Sequence, residues 1–172
     1  MRDNPIHVAV LGSKPERRVR KLEGMFRALL QTMGEPPLVA RDGEALVGVC
    51  GLARAGTCIP SRAATARFAP VMIGLGPRAM VRAARWRDAW AARDPAEPHW
   101  HLGPIAVDAH LQHQGIGSRL MQEFCAVVAG RHAMAYLETD KPENVVFYRR
   151  FGFEVAGEAE VVGTPNWFMR RP

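Results

Sequence analysis

From His99 onward the chain switches repeatedly between the two hydrophobic periods. HWHLGPIAV reads as a strand, Gly115 to Val128 as a helix, AMAYLET as a strand and Glu143 to Phe151 as a helix. Parallel neighbours cannot be joined by a tight turn, so this order requires at least one parallel crossover. FEVAGEAEVV and WFMRR follow as strands around a turn read at GTPN. A closing antiparallel pair beside a parallel crossover predicts a mixed sheet with helices packed on it.

Upstream, the β-branched run IHVAVLG, Ile6 to Gly12, is expected to be the first strand. Ser13 and Glu16 stand in capping-box spacing, with Pro15 suited to a first helical turn. Val19, Leu22, Phe26, Leu29, Leu30 and Met33 then recur at helical spacing until Gly34. LVA and ALVGVCGLA flank RDGE, where Asp42-Gly43 marks a hairpin between two antiparallel strands. Pro60 to Pro98 is rich in alanine and arginine, and Gly74, Gly76 and Pro77 divide it into two helices. Arg82, Arg85, Arg87 and Arg93 beside Trp86 and Trp90 admit two readings, a basic aromatic face for nucleic acid or a solvated helix side with two anchoring tryptophans. No helix-turn-helix or RNA-binding aromatic signature accompanies them, which favours the second.

At 172 residues and 48% hydrophobic, the chain is expected to form one domain over 1–172 with a real core. The formal charge of +6 at pH 7 comes from scattered arginine, which speaks to solubility and association and not to fold. Cys50, Cys58 and Cys125 lack metal-type spacing and are odd in number, so buried thiols in a reducing compartment are expected. No apolar run approaches the roughly 18 residues of a membrane span, and the N-terminus lacks a signal-type core. A cytoplasmic location is the expectation.

Two features of 99–118 carry chemistry. Pro104 sits inside HWHLGPIAV and cannot donate to a ladder, so that strand should be bulged or splayed, leaving backbone groups around Gly103 to Val107 for a ligand. Gly115 and Gly117 then stand at the mouth of a helix. A helix start leaves unpaired N–H groups and partial positive charge, and glycine lets an anion approach closely. A Walker A loop would need a lysine followed by Ser or Thr after the second glycine, where Ser118 and Arg119 stand; a dinucleotide fingerprint would need a third glycine and an acidic residue closing the next strand. A ligand with amides in one arm and a pyrophosphate at the end suits both features, and coenzyme A has that chemistry.

IAVDAHLQHQGIGSRLM resembles the central motif of the GNAT superfamily of N-acetyltransferases, Gln/Arg-x-x-Gly-x-Gly/Ala, matched by Gln112, Gly115 and Gly117. LETDKPENVVFYRRFGF is similar to the superfamily's next strand and helix. The resemblance covers Trp100 to Phe153 closely and the remaining element order loosely. It implies an α/β (α+β) fold whose mixed, mostly antiparallel sheet is splayed between its fourth and fifth strands, with acetyl-CoA bound in the gap and acetyl passing directly to an amine in a ternary complex. Position by position, it implies that Ile105, Ala106 and Val107 pair with pantetheine. The backbone of His113, Gln114, Gly115, Ile116, Gly117 and Ser118 would hold pyrophosphate, with Asn144 on the cofactor arm and Tyr148 near its sulfur.

Asn144 and Tyr148 are four residues apart and so share a helix face. Tyr148 is the candidate acid for the departing thiolate; its alternative is a core ring beside Phe147 and Phe151. Strand alternation puts His99, His101 and Gly103 on one face, with Glu138 in the adjoining strand. His101 is the first candidate base and Glu138 the next; the alternative is a surface histidine pair. The expected partners are acetyl-CoA and an amine acceptor, with no membrane, no metal and no nucleic acid, while a homodimer stays open. Two other functions fit fewer features: a non-catalytic CoA-binding sensor or scaffold, and a nucleic-acid binder working through Pro60 to Pro98.

Overall fold

The computed structural model describes residues 2–54 and 62–172, the side chains of 62–64 excepted. Six strands, β1 Leu38–Asp42, β2 Ala45–Ala53, β3 His99–Val107, β4 Met134–Thr139, β5 Glu154–Val161 and β6 Thr164–Arg171, form one sheet in the order β1-β2-β3-β4-β6-β5. Only β3 and β4 run parallel; the other neighbours are antiparallel. The crossover between them is α5, Ile116–Ala129, as the alternation from His99 requires. The remaining helices are α1 Pro5–Leu11, α2 Pro15–Thr32, α3 Arg62–Gly74, α4 Pro77–Ala91 and α6 Pro142–Arg149. Pro60, where the alanine-rich region was set to begin, and Cys58 lie outside the described residues.

Strand alternation splits the core into two layers. On one face Trp100, Leu102, Ala135, Leu137 and Met169 meet Met121, Phe124 and Val128 of α5 and Val145 and Tyr148 of α6. On the other, Tyr136 and Phe168 meet Ile6, Val10 and Leu11 of α1, Leu22 of α2 and Ala79 and Ala83 of α4. Burying a large apolar side chain is worth about 1.5 to 3 kcal/mol, so these two layers carry the sheet's stability. Trp86 and Trp90 are the anchors of α4: their rings stand 5.1 Å apart against the second layer, and Trp90 Nε1 donates to Asn166 Oδ1 at 3.1 Å.

The structure corrects four expectations. Residues Ile6 to Gly12 are not a strand but the helix α1. Pro5 occupies its first turn, and Ile6, His7, Val10 and Leu11 face inward, a helical spacing that a short apolar run shares with a buried strand. The N–H of Ile6, an orphan of that first turn, donates to Asp140 Oδ2 at 2.7 Å. Ser13 does not cap α2; Lys14 holds that position with no side-chain cap, because the helix starts at Pro15, one residue later than a Ser13 cap needs. The final hairpin turns at Val162-Gly163, both at positive φ (51° and 75°), so Thr164, Pro165 and Asn166 of the expected GTPN turn belong to β6. The splay, with α1 removed from the strand count, falls between the third and fourth strands.

Candidate active site

β3 and β4 pair at three positions only, His99 with Met134, Trp100 with Ala135 and His101 with Tyr136. Beyond His101 the strands diverge: Leu102 to Val107 have β2 on one side and, among the described residues, no strand partner on the other. The register with β2 slips so that Cys50 faces Ile105 and Leu52 faces Leu102, leaving Gly103 and Pro104 opposite Gly51. This is the bulge that an in-strand proline demands. Ile105, Ala106 and Val107 therefore lie half-buried along an open strand edge.

The gap leads to the start of α5. Asp108 Oδ1 accepts the His110 N–H at 3.0 Å and starts a 3₁₀ turn, Ala109–Leu111; Gln112 Nε2 then donates to the Val107 carbonyl at 3.3 Å and ties the loop to the strand end. His113 and Gly115 both take positive φ, 63° and 83°, on either side of Gln114. Left-handed residues in such loops turn successive N–H groups toward one side, the geometry of an anion nest. Gly115 is the N-cap of α5 and no side chain caps that helix, so the N–H groups of its first turn, Ile116 to Ser118, remain available to a ligand. A Cβ on Gly117 would stand 3.8 Å from Val107 Cγ2 and 3.9 Å from Phe147 Cζ, which places this glycine where β3, α5 and α6 converge. A methyl group there would make ordinary van der Waals contact, whereas a long side chain would fill the convergence.

Across the gap, Asn144 Nδ2 donates to Thr139 Oγ1 at 3.0 Å, which fixes the start of α6 to the end of β4. Tyr148, one turn on, is 5% exposed among the first core layer. Its hydroxyl makes no hydrogen bond among the described residues, and burial pushes its pKa well above that of a free phenol. Burial likewise pushes the Cys50 thiol up to about 12. Tyr148 packs as a core ring against Phe147 and Phe153.

On the opposite face, at the last paired position, His101 Nε2 lies 2.7 Å from Glu138 Oε2, and the Glu138 side chain is 3% exposed. The histidines are not a surface pair: His99 is buried, with Nδ1 2.8 Å from the Glu97 carbonyl. Sequence reasoning missed Asp94, whose Oδ1 is 3.2 Å from His99 Nε2 and 3.7 Å from His101 Nδ1. Burial raises its pKa, but the facing His101 and His99 imidazoles outweigh that and leave it below the usual carboxylate value. It also missed Asp140, buried at the mouth of the gap and committed to α1. Neither has a local signature, since both act across a loop or between distant elements. Cys50 is buried and Cys125 half-buried, both as free thiols. Among the described residues no helix is long and apolar enough to cross a membrane.

A mixed sheet parted beside a glycine-opened helix start is the arrangement that the resemblance of residues 100–153 leads one to expect. Residues 9–153 match the family model for the acetyltransferase (GNAT) family, and the chain belongs to that family. The fold is similar to a crystal structure described as histone acetyltransferase HPA2 and related acetyltransferase from Corynebacterium glutamicum, at 24% identity and TM-score 0.66 over 93% of this chain and 78% of that one. It is also similar to the ribosomal-protein-S18-alanine N-acetyltransferase from Escherichia coli (15% identity, TM-score 0.52, 85% and 75% coverage). A third similar structure is Naa20 from Chaetomium thermophilum in complex with a bisubstrate analogue (13% identity, TM-score 0.51, 100% and 83% coverage).

Proposed function

We propose that the protein transfers acetyl from acetyl-CoA directly to a primary amine, in a ternary complex. The observation that carries this reading is the parting of β3 from β4 after three rungs, directly beside the uncapped start of α5. A long ligand with both amides and phosphates suits the two features together. The open edge at Ile105, Ala106 and Val107 suits pantetheine amides. The backbone of His113, Gln114, Gly115, Ile116, Gly117 and Ser118 suits a pyrophosphate, because a helix start offers N–H donors and positive charge without a side chain. Gln112 holds that loop to the strand, and Asn144 keeps its carbonyl oxygen for the arm while its amide serves Thr139. A bound acetyl thioester supplies the acyl group and a thiolate leaving group.

The chain's own residues supply the proton traffic. Tyr148 stays protonated at neutral pH and donates toward the sulfur as it leaves. Its raised pKa makes that donation harder against a thiolate in water, but burial also disfavours a free thiolate, as at Cys50. The two groups share one low-dielectric gap, so their difference in proton affinity governs the step. His101, oriented by Glu138 at the apex, takes the ammonium proton, directly or through water. The acceptor approaches from the face of α2 and α3, whose side chains set its identity.

Calorimetric titration with CoA tests the cleft, and release of free thiol across a panel of amines and peptides, with product mass analysis, tests the reaction. Micromolar binding and acetylated amine are expected. No CoA binding at millimolar ligand removes the reading; tight binding with no acetyl release across the panel leaves a sensor in its place.

A further inference from the structure

We propose that Asp94, His99 and His101 form a binding site for one divalent transition-metal ion of the zinc class. One ring nitrogen of each histidine and one oxygen of Asp94 lie within 4.8 Å of one another, and among the described residues no other group of three such side chains converges in this way. The Asp94 oxygen is 3.2 Å from His99 Nε2 and 3.7 Å from His101 Nδ1. Ligands bound about 2.0 to 2.1 Å from a tetrahedral zinc stand about 3.3 Å apart. Two of the three spacings are close to that value already, and the third, between the two ring nitrogens, lies within 4.8 Å.

The hydrogen positions on the two rings point to the same atoms. A carbonyl only accepts, so His99 Nδ1, 2.8 Å from the Glu97 oxygen, carries the ring hydrogen. Opposite the Glu138 carboxylate, His101 Nε2 is likewise the donor. In the neutral rings the lone pairs are then His99 Nε2 and His101 Nδ1, the two nitrogens turned toward Asp94. A carboxylate facing those two nitrogens calls for a cation between them, a ring proton or a metal ion, and the same three atoms serve either. A metal-binding histidine characteristically donates its second ring nitrogen to a carbonyl or a carboxylate, and here one ring does each.

The sequence builds this arrangement economically. Alternation in β3 puts both histidines on one face, and the loop DPAEP, stiffened by Pro95 and Pro98, brings Asp94 back over them. Two imidazoles and one carboxylate suit zinc and its first-row neighbours better than magnesium or calcium, which favour oxygen-only sets. The His99 side chain is 5% exposed while those of Asp94 and His101 are 21% and 20% exposed, so a bound ion keeps an open position toward solvent. Ion binding stands independently of acetyl transfer. On the acetyltransferase reading, however, an ion on His101 Nδ1 occupies the lone pair that the base uses, so the ion inhibits.

Chelator-stripped protein titrated with Zn²⁺ in a calorimeter, and with Co²⁺ followed by visible absorption, tests the site. The expected result is one ion per chain and cobalt bands of a four- or five-coordinate site without a sulfur charge-transfer band. His99→Gln and Asp94→Asn should each weaken binding by about tenfold or more, while His132→Gln, at an exposed histidine elsewhere, leaves it unchanged. Thermal unfolding of each variant separates lost ligand from lost fold; if His99→Gln unfolds, Asp94→Asn, on a half-exposed loop, decides. Absence of stoichiometric binding in the wild type, a sulfur charge-transfer band, or binding unchanged in the folded variants overturns the proposal. CoA titration of the same samples reports separately on the acetyl-CoA cleft.

Discussion

The carboxylate of Asp140 accepts the backbone N–H of Ile6 at 2.7 Å, joining residues 134 positions apart. Asp140 directly follows the strand that lines the gap, and its second oxygen accepts from Asn4 Nδ2 at 3.3 Å. The first helix is thus capped by the rim of the cleft and not by its own flanking sequence. Asp140→Ala should lower stability by about 1 to 3 kcal/mol, the cost of a lost cap and a buried N–H left unpaired. Chemical denaturation measures it, and a change within experimental error would mean that α1 is held by packing alone.

Tyr148→Phe separates the chemistry of the hydroxyl from the packing of the ring. Because the hydroxyl has no hydrogen-bond partner among the described residues, its loss should be nearly neutral for stability and for CoA affinity. Turnover should fall by about 10² to 10⁴, the usual worth of general acid help. Stopped-assay thiol release against calorimetric CoA binding checks both halves, and unaltered turnover would remove Tyr148 from the acid role.

His101→Gln should lower turnover by about 10² or more while leaving the CoA constant unchanged, since His101 lies at the apex and on the face opposite Tyr148. Glu138→Gln should do less, because on the proposed reading its part is to orient the His101 ring. A larger fall in Glu138→Gln than in His101→Gln, measured as kcat on one acceptor, would reverse the assignment.

The two glycines at the start of α5 fail for different reasons. Gly115→Ala puts a Cβ at φ 83°, a strain of about 1 to 2 kcal/mol for an L-residue, and should cost both stability and CoA affinity. Gly117→Glu carries no such backbone strain but sets a long anionic side chain between Val107 and Phe147. It should abolish measurable CoA binding with thermal unfolding near that of the wild type. Calorimetry beside a melting curve distinguishes the two patterns.

Alkaline stability carries a signature of the core thiol. The folded Cys50 pKa is raised to about 12 from 9.0, so the unfolded chain gives up its proton first as pH rises. The stabilisation is complete below about pH 9 and is lost progressively toward about 12, up to about 4 kcal/mol in all at 1.36 kcal/mol per unit. Cys50→Ala should start less stable because of the cavity it leaves, yet decline more gently over that window. Parallel slopes in denaturant titrations at several alkaline pH values would contradict this.

The parts of the site that rest on backbone pattern were legible in the sequence. Pro104 announces the bulge, Gly115 announces the left-handed turn into α5, and alternation puts His101 and Glu138 on a common face. What escaped depends on partners brought together by folding. Residues 6–12 are helical because Asp140 and the second core layer receive them, and nothing within the segment tells a short buried helix from a strand. Val162 adopts a positive φ that β-branched residues avoid, so the hairpin turn fell outside local preference. Asp94 sits in a loop whose path is set by its prolines, and only the fold shows that it returns to His99.

With so few rungs joining β3 to β4, the sheet is two leaves on a short hinge, one lined by α5 and the other by α6. A ligand that pairs with the free edge of one leaf and leans on the other does the work of the missing ladder. On the proposed reading its arrival would stiffen the molecule and its departure loosen it, so amide exchange along Leu102 to Val107 should slow on binding and quicken on release, and each turnover would remake part of the fold.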